Sequence, residues 1–329
     1  MAKRKTERNR SDLLRRRFPT RTPLVRDQVR IIEKALDSNA SILLQGETGT
    51  GKDYLAELIH TASDRASSPF VRIACAAIPP DLFESELFGY EKGAFTDARE
   101  RKRGLVETAH RGTLYLDEIS SLPRVLQAKL LRLVQERKYA RIGGVAELAI
   151  DVRVIVSSSV PLAELVRDGE FREDLFYRLN VISIQIPPLR ERPDDIPRLA
   201  EILLERESND LGRKVDGFSP EALDLLMRYD WPGNVRELRS AIRRALLLEE
   251  SETIQPGSLP VRSVRDESVL LRKAASEGWT LERLEEAYIR EILRRTDDNN
   301  SRASRILGIS RKTLISKRRR YGIEKEEGR

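Results

Sequence analysis

The sequence predicts an α/β fold: a nucleotide-binding core with a parallel sheet, followed by a helical lid and a small all-α domain. The first observation is a glycine-rich stretch, Gly46–Lys52, between the apolar run Ile42–Leu44 and an amphipathic run with apolar residues at helical spacing. The second is an apolar run that ends in two acids, Asp117 and Glu118. The third is a helical apolar period from Pro193 onward, with basic residues concentrated near the end.

The glycine-rich stretch is predicted to be a phosphate-binding loop. Glycines let the backbone curl so that its N–H groups point at phosphate oxygens, and the helix N-terminus adds its positive end. Lys52 then reaches the outer phosphates, and Asp53 stands where Ser or Thr usually contacts magnesium, which a carboxylate also binds. A glycine-rich turn with a chance lysine is the alternative. The predicted binding residues for ATP and Mg²⁺ are Gly46, Glu47, Thr48, Gly49, Thr50, Gly51, Lys52 and Asp53.

The two acids that follow residues 112–116 fit the metal-binding and water-activating part of a nucleotide site. Asp117 is predicted to hold magnesium and Glu118 to polarise the attacking water. Two acids at the end of a strand mean little by themselves, so the prediction depends on the phosphate-binding loop upstream.

Composition and charge exclude several classes of protein. The 329 residues suffice for two or three domains, and no apolar run approaches the length of a membrane span. A single cysteine, Cys75, favours a reducing, cytoplasmic setting. Residues 1–30 carry 11 Lys/Arg against 3 Asp/Glu, and residues 281–329 carry 14 against 9. The formal net charge is +7, so the stretch between these ends is acidic, and the ends are the parts expected to bind a polyanion.

Breaks in the apolar pattern set the expected domain boundaries. Residues 1–21 have little apolar content and are expected to be a basic, disordered tail or an auxiliary nucleic-acid contact. The break at Pro187-Pro188 separates the α/β part from the helices. A strand is expected over residues 149–156, and lid helices over about 194–208, 219–229 and 232–249. The resulting segments are 1–21 (tail), 22–187 (α/β subdomain), 188–258 (lid), 259–279 (linker) and 280–325 (C-terminal domain).

For two further stretches, the sequence leaves two alternative roles open. The glycine-punctuated loop after residue 88 carries Phe95, which is either a core residue or a contact surface. Arg172 and Arg178 are either solvated charges or groups that reach the γ-phosphate of a neighbouring subunit.

The C-terminal residues predict a helix-turn-helix. A helix from about Thr280 is followed by a short helix, a turn at Gly308 and a basic helix capped by Ser310. A basic amphipathic hairpin without specificity is the alternative. Residues at the start of the last helix are expected at base edges and later ones at phosphates; the predicted DNA-binding set is Ser310, Arg311, Lys312, Thr313, Lys317, Arg318 and Arg319.

With these motifs in this order, the chain resembles the bacterial enhancer-binding proteins, the AAA+ ATPases that activate sigma-54 RNA polymerase, over about residues 22–325. The resemblance implies an AAA+ P-loop core, a ring of six or seven identical subunits, and DNA bound at an upstream activating sequence. It implies that Glu118 is catalytic, that Arg172 and Arg178 act in trans, and that Arg236 senses nucleotide from the lid. It also implies a sigma-contacting loop made of Gly93, Ala94, Phe95, Thr96, Asp97 and Ala98.

The chain departs from the family pattern in four motifs, at five residues. Asp97 replaces a glycine of the sigma-contacting loop, and Asp53 stands where the family usually has Glu. Ser158-Ser159 replaces Thr-Asn, and Ala74 replaces an Asn that restrains the catalytic Glu. The leading hypothesis is an ATP-driven activator of sigma-54 RNA polymerase. The alternatives are a DNA-binding regulator of sigma-54-independent promoters, whose ATPase domain serves assembly or ligand sensing, and an AAA+ remodeller of another protein, which the helix-turn-helix argues against.

Overall fold

A computed structural model describes residues 2–260, 274, 277–296 and 298–323. The chain divides into two compact units, Met1–Val261 and Arg262–Arg329. In the described part of the chain, no helix has the length and apolar character needed to cross a membrane.

The first unit is built on a five-stranded sheet in the order β2-β5-β8-β1-β9, and all its pairings are parallel. The pairing places Ala74 beside Asp117 and Gln45 beside Ser158, so the carboxyl ends of the strands meet at one edge. This is the edge at which parallel α/β sheets bind ligands. The strands are β1 (Ile42–Gln45), β2 (Phe70–Ala74), β5 (Thr113–Asp117), β8 (Arg153–Ser158) and β9 (Ile182–Gln185).

Helices cover both faces of this sheet and enclose two apolar cores. One core contains Leu116, Val156 and Leu175, and the other contains Leu44, Ile59 and Ile155. Short hairpins pair β3 (Gly89–Tyr90) with β4 (Lys102–Arg103), and β6 (Lys138–Tyr139) with β7 (Leu148–Ala149). The helices are α1 (Ala2–Arg17), α2 (Pro23–Ala35), α3 (Lys52–Ala62), α4 (Pro80–Phe88), α5 (Leu105–Thr108), α6 (Arg124–Glu136), α7 (Leu162–Arg167) and α8 (Glu173–Leu179).

The N-terminal segment corrects the expectation of a disordered tail, because Ala2–Arg17 forms helix α1. Leu14 is fully buried in the core that also contains Ile32 of α2 and Leu58 of α3. Arg15 donates two hydrogen bonds to Glu33, at 2.6 and 2.8 Å. A few apolar residues are therefore enough to hold α1 in place, because they lie on the side of the helix that packs on α2 and α3.

The strand expected over residues 149–156 is also displaced. Residues 148–149 belong to the β6–β7 hairpin, and the sheet strand β8 begins at Arg153 and includes Ser157 and Ser158. Arg153 is buried at the strand start, and its guanidinium donates to the carbonyls of Ala35 and Leu36 at the end of α2. A buried charge normally disfavours a core position, and here the two carbonyls accept from Nη1 and Nη2 of the guanidinium.

The lid is a bundle of three helices with a core of its own. Helices α9 (Ile196–Leu211), α10 (Pro220–Arg228) and α11 (Asn234–Leu248) surround Trp231, whose indole N–H donates to the carbonyl of Leu226 at 2.8 Å. A two-stranded parallel pair, β10 (Gly217–Phe218) with β11 (Thr253–Ile254), closes the bundle. The three predicted helices are therefore present, with bounds shifted by a few residues.

The second unit contains three helices among its described residues: α12 (Leu281–Arg295), α13 (Asn300–Ile306) and α14 (Arg311–Arg320). Ile289, Leu293, Ala303 and Leu314 form its core. Most of the expected linker, residues 259–279, lies outside the described residues.

Candidate nucleotide site and helix-turn-helix

The phosphate-binding loop lies where the sequence predicts it, between β1 and α3. Its glycines adopt left-handed backbone angles, with φ of 83° at Gly49 and 101° at Gly51. A Cβ atom at Gly49 would lie 2.4 Å from the carbonyl oxygen of Gly233 in the lid, so no side chain fits there. The loop therefore has both the curvature and the close lid contact that its glycines allow.

Lys52 is buried at the centre of this loop. Its ammonium donates to the carbonyls of Gly46 and Glu47, at 2.7 and 3.2 Å, and lies 3.4 Å from Oε1 of Glu118. A buried ammonium held by the carbonyls of an anion-binding loop is placed to meet a phosphate.

Two carboxylates meet beside the loop. Asp53 on α3 and Asp117 at the end of β5 both accept from the hydroxyl of Tyr115, at 2.8 and 3.1 Å. Both also accept from Nη2 of Arg72, at 2.6 and 2.7 Å. Burial favours the protonated form of Asp117, but hydrogen bonds from Ser157, Arg72 and Tyr115 outweigh it and lower its pKa. Asp117 is therefore ionised at neutral pH.

This arrangement fits a magnesium ion. Oxygen atoms from two carboxylates already converge on one positive group, the Arg72 guanidinium. Mg²⁺ prefers such oxygen ligands and usually takes one or two from the protein, with the remainder from water and substrate phosphates.

Glu118 follows Asp117 with a left-handed backbone, at φ 54°. Its Oε2 accepts from the N–H and the hydroxyl of Ser159, at 2.9 and 2.8 Å, and its N–H donates to Oγ of Ser157 at 3.0 Å. Of the two serines that replace the family's Thr-Asn, Ser159 contacts Glu118, whereas the hydroxyl of Ser158 donates to the carbonyl of Val160. Ser159, directly after β8, restrains the carboxylate that the Asn replaced by Ala74 holds in the family pattern.

These groups open into a cavity of about 660 Å³ between the sheet edge and the lid. Its size is within the range of small-molecule sites. The loop from Thr48 to Asp53, the two acids and Arg236 line it, and Gly46 and Glu47 are not among the described lining residues. The N-terminal segment adds Phe18 and the lid adds apolar groups such as Leu203, which together provide the apolar wall of the cavity.

Contacts between the lid and the loop are the part that the sequence reasoning missed. Asn234, with φ 53°, is buried; its amide N–H₂ donates to Glu47 and to the carbonyl of Thr48, both at 3.1 Å. Its side-chain oxygen accepts from the N–H of Leu189 at 2.7 Å. Arg190 donates twice to Glu47, at 2.6 and 2.9 Å. Hydrogen bonds from Arg190 and then Asn234 lower the pKa of Glu47. In the sequence, Asn234 follows Trp-Pro-Gly, and this pattern by itself indicates only a turn.

Arg172, the residue before α8, and Arg178 within α8 lie elsewhere. Arg172 is bound to Asp174, at 2.7 and 3.0 Å, and Arg178 is exposed. Neither is among the described residues that line the cavity of their own chain.

The Phe95 loop is a turn between β3 and β4. Phe95 is 45% exposed and packs edge-to-face on Tyr90, with ring centroids 4.8 Å apart. The N–H of Gly93 donates to the carbonyl of Ala98 at 2.8 Å, and this bond closes the turn. Thr96 and Asp97 are exposed and Ala98 is buried. The loop therefore presents an aromatic ring and a carboxylate at its tip.

The described C-terminal helices form the predicted helix-turn-helix. The hydroxyl of Ser310 accepts from the N–H of Thr313 at 3.0 Å, which caps α14. Arg311, Lys312 and Thr313 are exposed at its start, as is Arg319 nearer its end.

Arg318 and Lys317 require a correction. Arg318 is only 7% exposed; its guanidinium donates to Asn300 at 2.8 Å and pairs with Asp298 at 3.0 Å. Lys317 pairs with Glu285 of α12 at 2.5 Å. The prediction that Arg318 meets a phosphate is therefore wrong, because its guanidinium is buried against Asn300 of α13 and Asp298. Lys317 is shared with an acid of the same unit.

The fold and the site together define a P-loop nucleotide-binding protein with a helical lid and a helix-turn-helix unit. Residues 19–185 match the family model of the sigma-54 interaction domain, residues 190–274 that of the AAA+ ATPase lid domain, and residues 280–321 that of the bacterial regulatory protein, Fis family.

Individual relatives agree with these matches. The regulatory protein AtoC of Escherichia coli is 43% identical over 314 residues, which are 93% of this chain and 68% of AtoC. The phenol regulator MopR of Acinetobacter guillouiae is 43% identical over 86% of this chain and 52% of its own length. Among solved structures, NtrX from Brucella abortus superposes with a TM-score of 0.69 and 35% identity, over 97% of this chain and 72% of NtrX.

The chain therefore belongs to the sigma-54-interacting AAA+ transcriptional activators with a Fis-type helix-turn-helix. It spans about two thirds of the length of AtoC and about half the length of MopR.

Proposed function

We propose that this chain hydrolyses ATP in a ring of identical subunits and uses that energy to remodel sigma-54 RNA polymerase while its helix-turn-helix holds upstream DNA. The observation that carries the proposal is the convergence of Lys52, Asp117 and Glu118 on one cavity between the sheet edge and the lid. These three groups supply the phosphate, metal and water contacts that phosphoryl transfer needs.

Hydrolysis follows from the placement of these side chains. Lys52 binds the outer phosphates, and Asp117 with Asp53 would hold Mg²⁺, which neutralises phosphate charge when bound. Glu118 accepts a proton from the attacking water once its carboxylate leaves Ser159. The lid contributes Arg236 to the cavity, and Asn234 and Glu47 couple the lid to the phosphate-binding loop. A relative, NtrX, has been crystallised with ADP and with ATP, which supports this choice of nucleotide.

A ring explains the positions of Arg172, directly before α8, and Arg178 on α8. Neither is among the described residues that line the cavity, which supports an action on a site other than that of their own subunit. In a ring of six or seven copies they instead meet the nucleotide of the neighbouring subunit and stabilise charge that develops during phosphoryl transfer.

The exposed ring of Phe95 supports a contact with sigma-54. An aromatic side chain at the tip of a closed turn provides a large apolar contact at little entropic cost. The exposed start of α14 supports a contact with DNA in the major groove. A role on bacterial DNA supports a cytoplasmic location for this activity.

Asp97 favours a second candidate, a regulator of sigma-54-independent promoters. Its exposed carboxylate lies two residues from Phe95 at the loop tip and adds a negative charge to the contact surface. A surface of this kind selects a partner of complementary charge.

In vitro transcription from a sigma-54 promoter with an upstream binding site tests the proposal. We expect open-complex formation with ATP and none with a non-hydrolysable analogue. Phe95→Ala abolishes activation while ATP hydrolysis and DNA binding persist, and Asp97→Gly serves as the matched loop variant that retains activation. Failure of the unaltered chain together with activation by Asp97→Gly supports the second candidate.

A further inference from the structure

Arg72 lies beside the two carboxylates that are proposed to hold magnesium. It projects from the edge strand β2, and its neighbour in the sheet register is Tyr115 of β5. A single nitrogen, Nη2, lies 2.6 Å from Oδ2 of Asp53 and 2.7 Å from Oδ2 of Asp117. One guanidinium therefore bridges both acids.

The other oxygens of these acids are held by neutral donors. The hydroxyl of Tyr115 donates to Oδ1 of Asp53 and Oδ1 of Asp117, and Ser157 donates to Oδ1 of Asp117 at 2.7 Å. These bonds orient the carboxylates so that their Oδ2 atoms face each other across Arg72. The site is thus built around a positive charge, and Arg72 supplies it.

A guanidinium and a magnesium ion compete for these two oxygen atoms. Mg²⁺ requires its oxygen ligands at about 2.1 Å in octahedral geometry. Two cations on the same pair of oxygens repel each other strongly at such separations. The side chain of Arg72 is 47% exposed, so it has a path away from the site, and its guanidinium lies 5.8 Å from the centre of the Tyr115 ring.

We propose that Arg72 is a resident counter-ion for the metal site, which stands in for Mg²⁺ in the nucleotide-free protein and is displaced when the metal is bound. The proposal rests on the proposed nucleotide binding at this cavity. Because Arg72 and Mg²⁺ compete for the same carboxylates, the proposal has one consequence for nucleotide binding and one for Mg²⁺ binding. Without metal, Arg72 lessens the repulsion between the two carboxylates and nucleotide phosphates. With metal, its displacement raises the Mg²⁺ concentration needed to load the site.

The test measures equilibrium binding of ADP to the full chain, which avoids turnover. The dissociation constant of ADP is determined in EDTA and at saturating Mg²⁺, and Mg²⁺ is then titrated at a fixed ADP concentration. The variants are Arg72→Gln, Arg72→Lys and, as a matched control, Arg101→Gln. Arg101 is a half-exposed arginine that faces Glu107 and is not among the described residues lining the cavity.

We expect Arg72→Gln to weaken ADP binding in EDTA by about threefold or more, the effect of losing a partly exposed ion pair. The same substitution lowers the half-saturating Mg²⁺ concentration by a similar factor, because the competing cation is gone. Arg72→Lys retains metal-free binding, and Arg101→Gln changes neither value. Arg72→Met is a second neutral variant that keeps an aliphatic stem against Tyr115 if Arg72→Gln does not fold.

The opposite results separate the two proposals. If the unaltered chain binds ADP and the neutral Arg72 variants leave both values unchanged, the counter-ion role is wrong and the nucleotide site stands. If the unaltered chain binds no nucleotide at any Mg²⁺ concentration, the proposed function and the counter-ion role are both overturned.

Discussion

At the scale of single residues, the carboxylate of Glu118 is shared between two partners. Its Oε2 is bound by Ser159 and its Oε1 lies near Lys52. We expect Glu118→Gln to reduce phosphate release by about 100-fold or more, because an amide does not accept the proton of the attacking water. Nucleotide binding persists in this variant, since Lys52 and the loop backbone are unaltered.

Steady-state phosphate release and ADP binding by the same preparation check this prediction. Glu57→Gln is the matched control, because Glu57 is an exposed glutamate on α3. Phosphate release at the unaltered rate in Glu118→Gln would exclude Glu118 from the mechanism.

Asn234 combines a left-handed backbone with three hydrogen bonds between the lid, residue 189 and the phosphate-binding loop. Replacement by Ala or Gly removes the side-chain bonds in either case. Only Ala also strains the backbone, at a cost of about 1 kcal/mol for a positive φ. We therefore expect both variants to be destabilised, and Asn234→Ala to be the less stable by about that amount.

Calorimetric unfolding of the full chain, with and without ADP, measures this difference. Equal midpoints for the two variants would show that backbone strain at this position is negligible.

The sequence predicts a residue's position in the site only where a local sequence pattern contains that residue. Lys52 and Asp117 stand at fixed offsets within strand–loop–helix and strand–acid patterns, so their places follow from local geometry. Arg72 and Asn234 act across long separations, on Asp117 and on Glu47. No local pattern encodes those pairings, which depend on sheet order and on the docking of the lid.

At the scale of elements, the segment that closes the lid is organised around Glu249, directly after α11. Its carboxylate accepts from Ser258 at 2.6 Å, from the N–H of Gln255 at 2.8 Å and from Ser251 at 2.8 Å. These hydrogen bonds, led by that from Ser258, lower the pKa of Glu249 from its ordinary value of 4.5 to about 2.

A lowered pKa in the folded state sets the direction of the pH dependence. Glu249 stabilises the fold fully above pH 4.5, and that contribution is lost as the pH falls toward 2, where the folded carboxyl also takes up a proton. We expect Glu249→Gln to unfold at a lower temperature at pH 7 and to show a smaller further loss between pH 5 and pH 3. Glu250→Gln, at the exposed neighbouring position, is the control. Parallel pH profiles for the Glu249→Gln and unaltered proteins would contradict the prediction.

The recognition helix α14 carries exposed arginines near both ends, and we expect them to have different roles in DNA binding. Arg311 is at its N-terminal end, where base edges are expected, and Arg319 is more than two turns later, where phosphates are expected. We expect Arg311→Ala to reduce discrimination at one base pair by about 1–3 kcal/mol. Arg319→Ala weakens binding to all sequences and lowers the salt slope by about one.

Binding titrations on specific and scrambled duplexes at several salt concentrations distinguish these effects. Arg318→Ala is a useful comparison, because the loss of its bonds to Asp298 and Asn300 destabilises the helix-turn-helix itself. Identical effects of Arg311→Ala and Arg319→Ala would contradict the assignment of separate roles.

Sequence periodicity located most helices and strands but failed where tertiary contacts override composition. Helix α1 reads as a charged tail because its stabilising contacts come from Leu14 against α2 and α3. The start of β8 is hidden because Arg153, a charged residue, is fully buried there. In both places the deciding partner is distant in sequence.

At the scale of the whole molecule, the proposed active site is incomplete within one subunit. The described cavity contains the phosphate, metal and water groups, while Arg172 and Arg178 lie outside its lining. If these arginines act on the nucleotide of a neighbouring subunit, as proposed, a complete site needs a second copy of the chain. We then expect activity per subunit to rise with protein concentration.

Mixing two inactive variants tests this arrangement directly. Lys52→Ala removes the phosphate contact of a subunit's own cavity, and Arg178→Ala removes the group proposed to be donated to its neighbour. In a mixed ring, a Lys52→Ala subunit donates its intact Arg178 to the intact cavity of an Arg178→Ala subunit. Random equimolar mixing makes about a quarter of the interfaces competent, so we expect about a quarter of the unaltered phosphate release.

A mixture of Lys52→Ala with Glu118→Gln is the matched control, because both changes damage a subunit's own cavity and no interface regains a complete site. Light scattering confirms that mixed assemblies form in each case. Phosphate release from the first mixture that stays at the level of the control, in assemblies of the same size, would show that Arg178 does not act across a subunit boundary. Recovery in the first mixture alone assigns Arg178 to the site of the neighbouring subunit.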